Sequence, residues 1–178
     1  RVIRLQQEVE RDREEMRRFA AELAVTNRRL NDVALTDSLT GFANRRCAMD
    51  RMTEEWSSAK RHERPLSCMV IDVDEFKQVN DTLGHAAGDQ VLQDLSGHLR
   101  HCLRDSDTSA RLGGDEFLIV ARRAFADPLA VADRILIGWS NSGRSTTISA
   151  GVALHDAQVE PSVTFDRADR ALYQAKGA

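Results

Sequence analysis

Two short acidic stretches hold residues whose types and spacing suit metal chemistry. Asp72–Asp74 ends an apolar run, and Asp115 and Glu116 directly follow Gly113 and Gly114. Carboxylate oxygens are the ligands that Mg²⁺ prefers, and glycines leave space above a turn for a phosphate-sized ligand. The pattern suggests metal-assisted nucleotide chemistry. From these residues alone, an ordinary acidic surface turn remains the alternative.

The second acidic stretch is expected to lie on a β-hairpin. Thr108–Leu112 and Phe117–Val120 both have strand-like composition, and the two glycines between them permit positive φ angles. We therefore place Asp115 and Glu116 at the hairpin tip.

The first acidic stretch follows a strand. Leu66–Val73 is almost continuously apolar, which predicts a central strand buried on both faces. A carboxylate at the end of such a strand is costly to bury without a partner. The acids must therefore reach solvent or face a positive charge.

The rest of the chain predicts an α+β domain. We expect a helix from Asn44 to about His62, a short helix after Asp74, and a longer one that ends near Leu103. Further helices follow Pro128 and span Val163–Lys176, with a strand within Thr146–Leu154. The order gives a βαββαβ core of ferredoxin-like type, with helices on one face of an antiparallel sheet.

Residues 1–35 form a separate region from the domain expected at 36–178. They contain neither Gly nor Pro, and apolar residues recur at alternating spacings of three and four, with polar Asp12 and Thr26 interrupting them. This pattern predicts a parallel dimeric coiled coil, and a single amphipathic helix packed on its own domain is the alternative. The positions are Val2, Leu5, Val9, Asp12, Met16, Phe19, Leu23, Thr26, Leu30 and Val33.

Composition excludes several classes of protein. The 178 residues are 42% hydrophobic and 30% charged, with a net charge of -3, which argues against a general nucleic-acid binder. The three cysteines lack CxxC spacing, so we expect reduced thiols rather than disulfides or zinc ligands. No apolar run reaches membrane-spanning length, and no direct membrane contact is expected in this stretch. Because the sequence starts at Arg1 within a helical pattern, we expect a fragment whose upstream sensor is missing.

Four motifs in order resemble the GGDEF family of diguanylate cyclases. The first two are Asp37–Arg46 and Asp72–Asp89, and the last two are Gly113–Phe117 and Ala168–Lys176. The similarity covers about residues 36–178. It implies a palm-type fold, as in nucleotidyl cyclases and polymerases, and a bacterial, cytoplasmic enzyme.

The resemblance implies the reaction and its control. Such enzymes join two GTP molecules into cyclic di-GMP and release two pyrophosphates. Each domain of a homodimer supplies half of the site, an upstream sensor acts through the coiled coil, and the product inhibits. A catalytically silent cyclic di-GMP receptor, or a dimerisation module, is the alternative. The intact Asp115 and Glu116 count against it.

By resemblance, the metal ligands are Asp72, the Val73 carbonyl and Asp115. Glu116 is either a further ligand or a group that assists deprotonation of the attacking hydroxyl. Two Mg²⁺ ions per half-site are implied, with Mn²⁺ as a possible substitute. They would lower the pKa of the hydroxyl and neutralise the leaving group.

The resemblance also assigns the substrate contacts. Asp89 can accept two hydrogen bonds from guanine, which favours GTP over ATP, and Asn80 can bind the base edge. The start of the short helix, at Phe76 and Lys77, and Lys176 are assigned to phosphates, and Gly113 and Gly114 let the substrate approach. The family pattern continues past this lysine with a glycine and a phosphate-binding arginine, whereas this sequence ends at Ala178.

Arg104 and Asp107 match the spacing of the family's RxxD inhibitory site. Arg104 can stack on guanine and pair with phosphate, and Asp107 can accept a hydrogen bond from the base. We therefore expect the product to bind there, away from the active site. Arg134 could add a contact, and a local surface salt bridge is the alternative.

Overall fold

The computed structural model describes residues 11, 13–23, 26, 35–121, 128–156 and 158–177. The chain divides into two compact units, Arg1–Leu35 and Thr36–Ala178, and each is described by itself.

In the first unit, residues 13–23 are helical. Met16, Phe19 and Leu23 are 74%, 72% and 56% exposed, so this apolar stripe is not covered within the described part of the chain. Thr26 is also helical and exposed. The coiled coil stays a prediction, because its other positions lie outside the described residues: Val2, Leu5, Val9, Asp12, Leu30 and Val33.

The second unit alternates strands and helices. The strands are β1 (Ala43–Asn44), β2 (Ser67–Val73), β3 (Thr108–Gly113), β4 (Glu116–Ala121) and β5 (Ile148–Leu154). The helices are α1 (Arg45–Arg61), α2 (Phe76–Leu83), α3 (His85–Cys102), α4 (Pro128–Ser140) and α5 (Pro161–Lys176). Asn44 caps α1 as expected, since its side chain accepts a hydrogen bond from the Cys47 amide at 3.0 Å.

The described strands form one sheet in the order β1-β3-β4-β2-β5. Strand β2 lies antiparallel to both β4 and β5, and β3 and β4 form the predicted hairpin. The α+β prediction with its βαββαβ order is confirmed. The sheet is mixed rather than antiparallel throughout, because β1 pairs in parallel with β3. A strand of two residues is too short to leave a hydrophobic period in the sequence.

Helices cover both faces of the sheet. The core helices α3 and α4 share one face, as expected, while α1 and α5, which lie outside the βαββαβ core, cover the other face. Cys68 and Val70 of β2 belong to a core with α1 and α5, while Met69, Ile71 and Val73 belong to a core with α3 and α4. Successive side chains of a strand point to opposite faces. A continuously apolar β2 therefore requires cover on both, as its sequence indicated.

Helix α5 approaches β5 at a glycine. A Cβ atom on Gly151 would lie 2.1 Å from the Ala168 carbonyl oxygen and 2.2 Å from the Leu172 amide nitrogen. These are backbone atoms that cannot rotate away. The absence of a side chain at Gly151 therefore permits the close packing on β5 of α5, the helix that ends at Lys176.

The cysteines are free thiols, with Cys47 and Cys68 buried. Burial raises the pKa of the Cys68 thiol to about 12, so it is a packing residue rather than a nucleophile. Every helix within the described ranges is too short or too polar to cross a lipid bilayer.

Candidate active site

The two acidic stretches meet at one end of the sheet. Asp72 is the sixth residue of β2, and its partner across the antiparallel pair with β4 is Glu116. Glu116 is the first residue of β4, so it lies in the strand and not in the turn as expected, while Asp115 stays in the turn before it. Like charges opposite each other destabilise a sheet. Such a pair indicates a function for the site.

Asp72 is buried, at 5% exposed, and its neighbourhood is charged. Its Oδ1 atom lies 2.5 Å from Lys176 Nζ. The contact is an ion pair, and Oδ1 has no other polar partner in the described part of the chain. Burial raises the pKa of Asp72 above its usual value, and the charges of Asp115 and Glu116 add to the rise, while Lys176 opposes it.

The donor set suits a hard divalent cation. Asp72 supplies a buried carboxylate oxygen without a hydrogen bond, and nearby Asp115 and Glu116 add carboxylates. Among the residues that the structure describes, no three acidic, histidine or cysteine side chains lie close enough together to chelate an ion. A metal held here would therefore need oxygen ligands besides these carboxylates, such as backbone carbonyl, water or phosphate oxygens.

Arg111 holds the hairpin turn. Its Nε and Nη2 atoms donate to the Gly114 carbonyl at 3.0 and 2.7 Å. The turn needs glycine at two positions, because φ is 144° at Gly113 and 54° at Gly114. The guanidinium therefore fixes the backbone immediately before Asp115.

Asp37 anchors Arg111 in turn. Arg111 Nη1 lies 3.2 Å from both carboxylate oxygens of Asp37, which also accepts from the Thr40 amide at 2.9 Å and the Thr40 hydroxyl at 2.7 Å. Burial opposes the charge of Asp37, but the hydrogen bonds from Thr40 and Arg111 outweigh it and hold its pKa below the usual value. Neither residue has a role predicted from the sequence. Asp37 stands in the first motif and Arg111 two residues before the third, and 74 positions separate them, so no local pattern pairs them.

Asp74 has different surroundings from Asp72. Its two carboxylate oxygens accept from the Thr147 and Ser149 hydroxyls, each at 2.7 Å, and its amide donates to the Thr147 carbonyl at 3.0 Å. Asp74 therefore joins the end of β2 to β5. Its oxygens are already satisfied.

Helix α2 begins immediately after a strained residue. Glu75 has φ 52° and ψ 27°, in the left-handed region, and its side chain does not cap the helix. The Glu75 carbonyl accepts from the Gln78 and Val79 amides. The amides of Phe76 and Lys77 make no backbone hydrogen bond within the described part, as usual in a first helical turn, and Lys77 is exposed.

Gly88 brings the two predicted guanine contacts together. A Cβ on Gly88 would lie 2.0 Å from Asn80 Oδ1 and 3.2 Å from Phe76 Cζ. Gly88 lies in the first turns of α3, next to the exposed Asp89. The amide of Asn80 therefore lies against the turn that presents the Asp89 carboxylate. A glycine inside a helical pattern was the signal for this contact.

Comparison with known proteins identifies the family. Residues 34–178 match the family described as diguanylate cyclase, GGDEF domain. The chain belongs to the GGDEF family. The chain is 38% identical over 173 residues to diguanylate cyclase TpbB of Pseudomonas aeruginosa, and the match covers 92% of this chain and 40% of that protein. It is 37% identical over 158 residues to the response regulator PleD of Caulobacter vibrioides, covering 83% of this chain and 35% of PleD.

A solved structure with a similar fold contains the coiled coil and GGDEF domain of DgcB from Caulobacter crescentus, in complex with c-di-GMP. The TM-score is 0.89 at 26% identity, and the match covers 95% of this chain and 94% of that one. The chain spans only about two fifths of the length of TpbB.

The predicted inhibitory residues of the GGDEF domain form a tight turn between α3 and β3. The Arg104 amide donates to Asp107 Oδ2 at 3.0 Å, and the Asp107 amide donates to the Arg104 carbonyl at 3.0 Å. Arg134 of α4 donates to the Cys102 carbonyl at 2.6 Å, so its guanidinium binds the backbone two residues before Arg104. The structure therefore supplies the position of Arg134 that the sequence left undefined.

Proposed function

We propose that this GGDEF domain is a diguanylate cyclase, which condenses two GTP molecules into cyclic di-GMP with release of two pyrophosphates. One observation carries the proposal most strongly: a buried Asp72 stands opposite Glu116, beside Asp115 and an ammonium group. A sheet tolerates such an arrangement at a functional site, where a cationic ligand or substrate complex offsets the repulsion.

The chain's own residues bind and orient the reactants. Asp72, the Val73 carbonyl, Asp115 and Glu116 are the proposed ligands of two Mg²⁺ ions, for which Mn²⁺ can substitute. When bound, the ions would acidify the 3′-hydroxyl and neutralise charge on the departing pyrophosphate. For Glu116 the alternative role is to assist removal of the hydroxyl proton. Arg111 keeps the backbone at Gly114 in position for the triphosphate to pass close to the turn.

Selection of guanine is proposed for the surface between α2 and α3. Asp89 accepts from two adjacent guanine donors, which adenine lacks, and Asn80 binds the same base edge. The close contact of Asn80 with Gly88 supports a fixed spacing between these groups. The amides at the start of α2, with Lys77 and Lys176, are the proposed phosphate ligands.

The reaction needs two such domains, because each binds one GTP. We propose a homodimer joined by a parallel coiled coil of residues 1–35, through which an upstream sensor controls how the domains of 36–178 meet. The exposed stripe of Met16, Phe19 and Leu23 supports a partner helix. Removing residues 1–30 should greatly reduce turnover at dilute protein and restore it as concentration rises. Turnover that is unchanged at dilution would contradict this role.

Product inhibition is proposed at Arg104 and Asp107, with Arg134 as a third contact. The turn holds the two residues of the motif together, and Arg134 lies close by. We expect Arg104→Ala to weaken inhibition by added cyclic di-GMP without removing initial turnover. Unchanged inhibition in this variant would place the product elsewhere.

The decisive experiment incubates the protein with GTP and Mg²⁺ and separates the nucleotides by chromatography. Cyclic di-GMP should form, and Asp115→Asn and Glu116→Gln should abolish it. No product from the unaltered protein would contradict the cyclase proposal. Binding of cyclic di-GMP without synthesis would favour the receptor alternative. Because the proposed reaction consumes GTP and the relatives are bacterial, we place it in the bacterial cytoplasm.

A further inference from the structure

The side chain that meets the buried Asp72 carboxylate is a partly exposed lysine. Lys176 is the last residue of α5, and its side chain is 38% exposed, whereas the Asp72 side chain is 8% exposed. A lysine side chain has four rotatable carbon links. Lys176 can therefore leave Asp72 for a nearby anion without movement of the helix, which packs closely on β5 at Gly151.

The ammonium stands at the side of Asp72 that lacks hydrogen bonds. Asp72 Oδ1 lies 2.5 Å from Lys176 Nζ and accepts no hydrogen bond within the described ranges. Asp115 and Glu116 add negative charge close to this oxygen. Without a cation the site would hold uncompensated, partly buried charge. Lys176 supplies that positive charge from the chain itself.

A lysine ammonium and a divalent cation compete for the same carboxylate oxygen. The ammonium neutralises Asp72, and its bulk also occupies space beside Oδ1. A metal that binds alone must displace Lys176 into solvent, with nothing to receive its charge. A metal that arrives with a triphosphate brings anionic oxygens that can receive it.

We propose that Lys176 is an exchangeable counter-ion of Asp72, which disfavours metal binding to the nucleotide-free domain and transfers to the phosphates when metal and GTP arrive together. The inference rests on the metal-ligand role of Asp72 in the proposed function. It adds a binding order: the divalent cation enters with the nucleotide rather than before it.

Binding of Mn²⁺ to the nucleotide-free protein, measured by electron paramagnetic resonance, tests the proposal without catalysis. Lys176→Met should bind Mn²⁺ roughly fivefold more tightly than the unaltered protein, as expected for loss of a competing half-exposed ion pair. Lys176→Arg keeps the charge and should bind as weakly as the unaltered protein. Arg170→Gln removes one positive charge from an exposed position of the same helix and controls for net charge.

With nucleotide bound, the effect of Lys176→Met on Mn²⁺ affinity should be reversed. In the presence of an unreactive GTP analogue, Lys176→Met should bind Mn²⁺ more weakly than the unaltered protein, because the phosphates have lost a cation. Equal or weaker Mn²⁺ binding by Lys176→Met without nucleotide would overturn the proposal. An equal gain in Mn²⁺ affinity in Arg170→Gln would also overturn the proposal, because it would show an effect of net charge alone. A variant that remains the tighter binder with the analogue would overturn the transfer to phosphate.

Failure of this inference is distinct from failure of the proposed function. If the unaltered protein makes cyclic di-GMP but Lys176→Met gains no Mn²⁺ affinity, the counter-ion role is wrong and the cyclase proposal stands. If the affinity rises but no cyclic di-GMP forms, the counter-ion role stands without the cyclase. Thermal unfolding of each variant without metal confirms that the proteins compared are folded.

Discussion

Strand β2 lies between β4 and β5, and the two sides differ in the groups that they place next to the acidic residues at its end. Toward β4, Asp72 faces Glu116, a second carboxylate, and one of its oxygens is left without a hydrogen bond. Toward β5, the carboxylate of Asp74 accepts two hydroxyl hydrogen bonds from Thr147 and Ser149. The two acids are separated by one residue, yet only Asp74 has both carboxylate oxygens bound by hydroxyl groups of the protein.

The difference separates a chemical role from a structural one. An unsatisfied buried carboxylate lowers stability, and it persists in a protein when a ligand or reaction needs it. A carboxylate with two short hydrogen bonds stabilises the strand end to which it belongs. We infer that the β4 side of β2 carries the chemistry and the β5 side provides the support.

The largest expected difference between the two sides of β2 is in the rate of cyclic di-GMP formation when Asp72 or Asp74 is replaced by the corresponding amide. Asp72→Asn should reduce cyclic di-GMP formation by about a thousandfold, since a lost metal ligand removes several kcal/mol of transition-state stabilisation. Asp74→Asn keeps one acceptor oxygen for a hydroxyl and should reduce it far less. Initial rates with GTP and Mg²⁺ measure both. Equal losses would show that the two acids share one role.

A substitution at Gly151 in β5 tests the structural role of the β5 side. Gly151→Ala should lower the free energy of unfolding by about 1–3 kcal/mol, because the new methyl group meets backbone atoms of α5. Gly97 is a matched control, since a Cβ there meets nothing within 4 Å. In helix α3, Gly97→Ala should raise stability by about 0.5–1 kcal/mol. Urea unfolding measures both, and a stable Gly151→Ala protein would contradict the close approach of α5.

On the β4 side, the hydrogen bonds from Arg111 to the Gly114 carbonyl should affect the rate of cyclic di-GMP formation. Arg111→Gln should lower cyclic di-GMP formation by about tenfold, since the turn before Asp115 loses its fixed position. Asp37→Asn should act in the same direction. If both work through one contact, the double variant should lose little more than Arg111→Gln alone. Additive losses would indicate that Asp37 and Arg111 act separately.

The motifs and the order of elements could be predicted because they depend on local sequence. The apolar run of β2, the glycines of the hairpin and the Asn44 cap each have a short-range signal, and the structure agrees with them. The βαββαβ order followed from these. They predicted Asp72 at the end of a strand and Asp115 and Glu116 at a hairpin tip, whereas Glu116 lies in β4 opposite Asp72.

What could not be predicted depends on contacts between distant residues. The Arg111–Asp37 ion pair joins positions 74 apart, and the Lys176–Asp72 pair depends on how closely α5 approaches Gly151. The resemblance assigned Asp72, and not Asp74, to the metal site, but the hydroxyl groups of Thr147 and Ser149 that bind Asp74 come from a distant part of the chain.

The smallest expected effect is on the stability of the metal-free protein. Here Asp72→Asn and Asp74→Asn should change the free energy of unfolding in opposite directions. Because burial raises the pKa of Asp72 in the folded protein, its ionised form costs folding free energy. That cost is absent below the usual value of 3.8 and grows as the pH rises through the raised pKa. Asp72→Asn removes it.

Metal-free Asp72→Asn should therefore be more stable than the unaltered protein by about 1 kcal/mol at pH 7, and the gain should shrink toward pH 4. Asp74→Asn should be less stable by about 1 kcal/mol, since its amide nitrogen cannot accept the hydrogen bond that a carboxylate oxygen accepts. Thermal unfolding from pH 4 to 7 with a chelator present measures both. A loss of stability in Asp72→Asn would mean that Lys176 compensates Asp72 fully, and that the two sides of β2 are equally satisfied at rest.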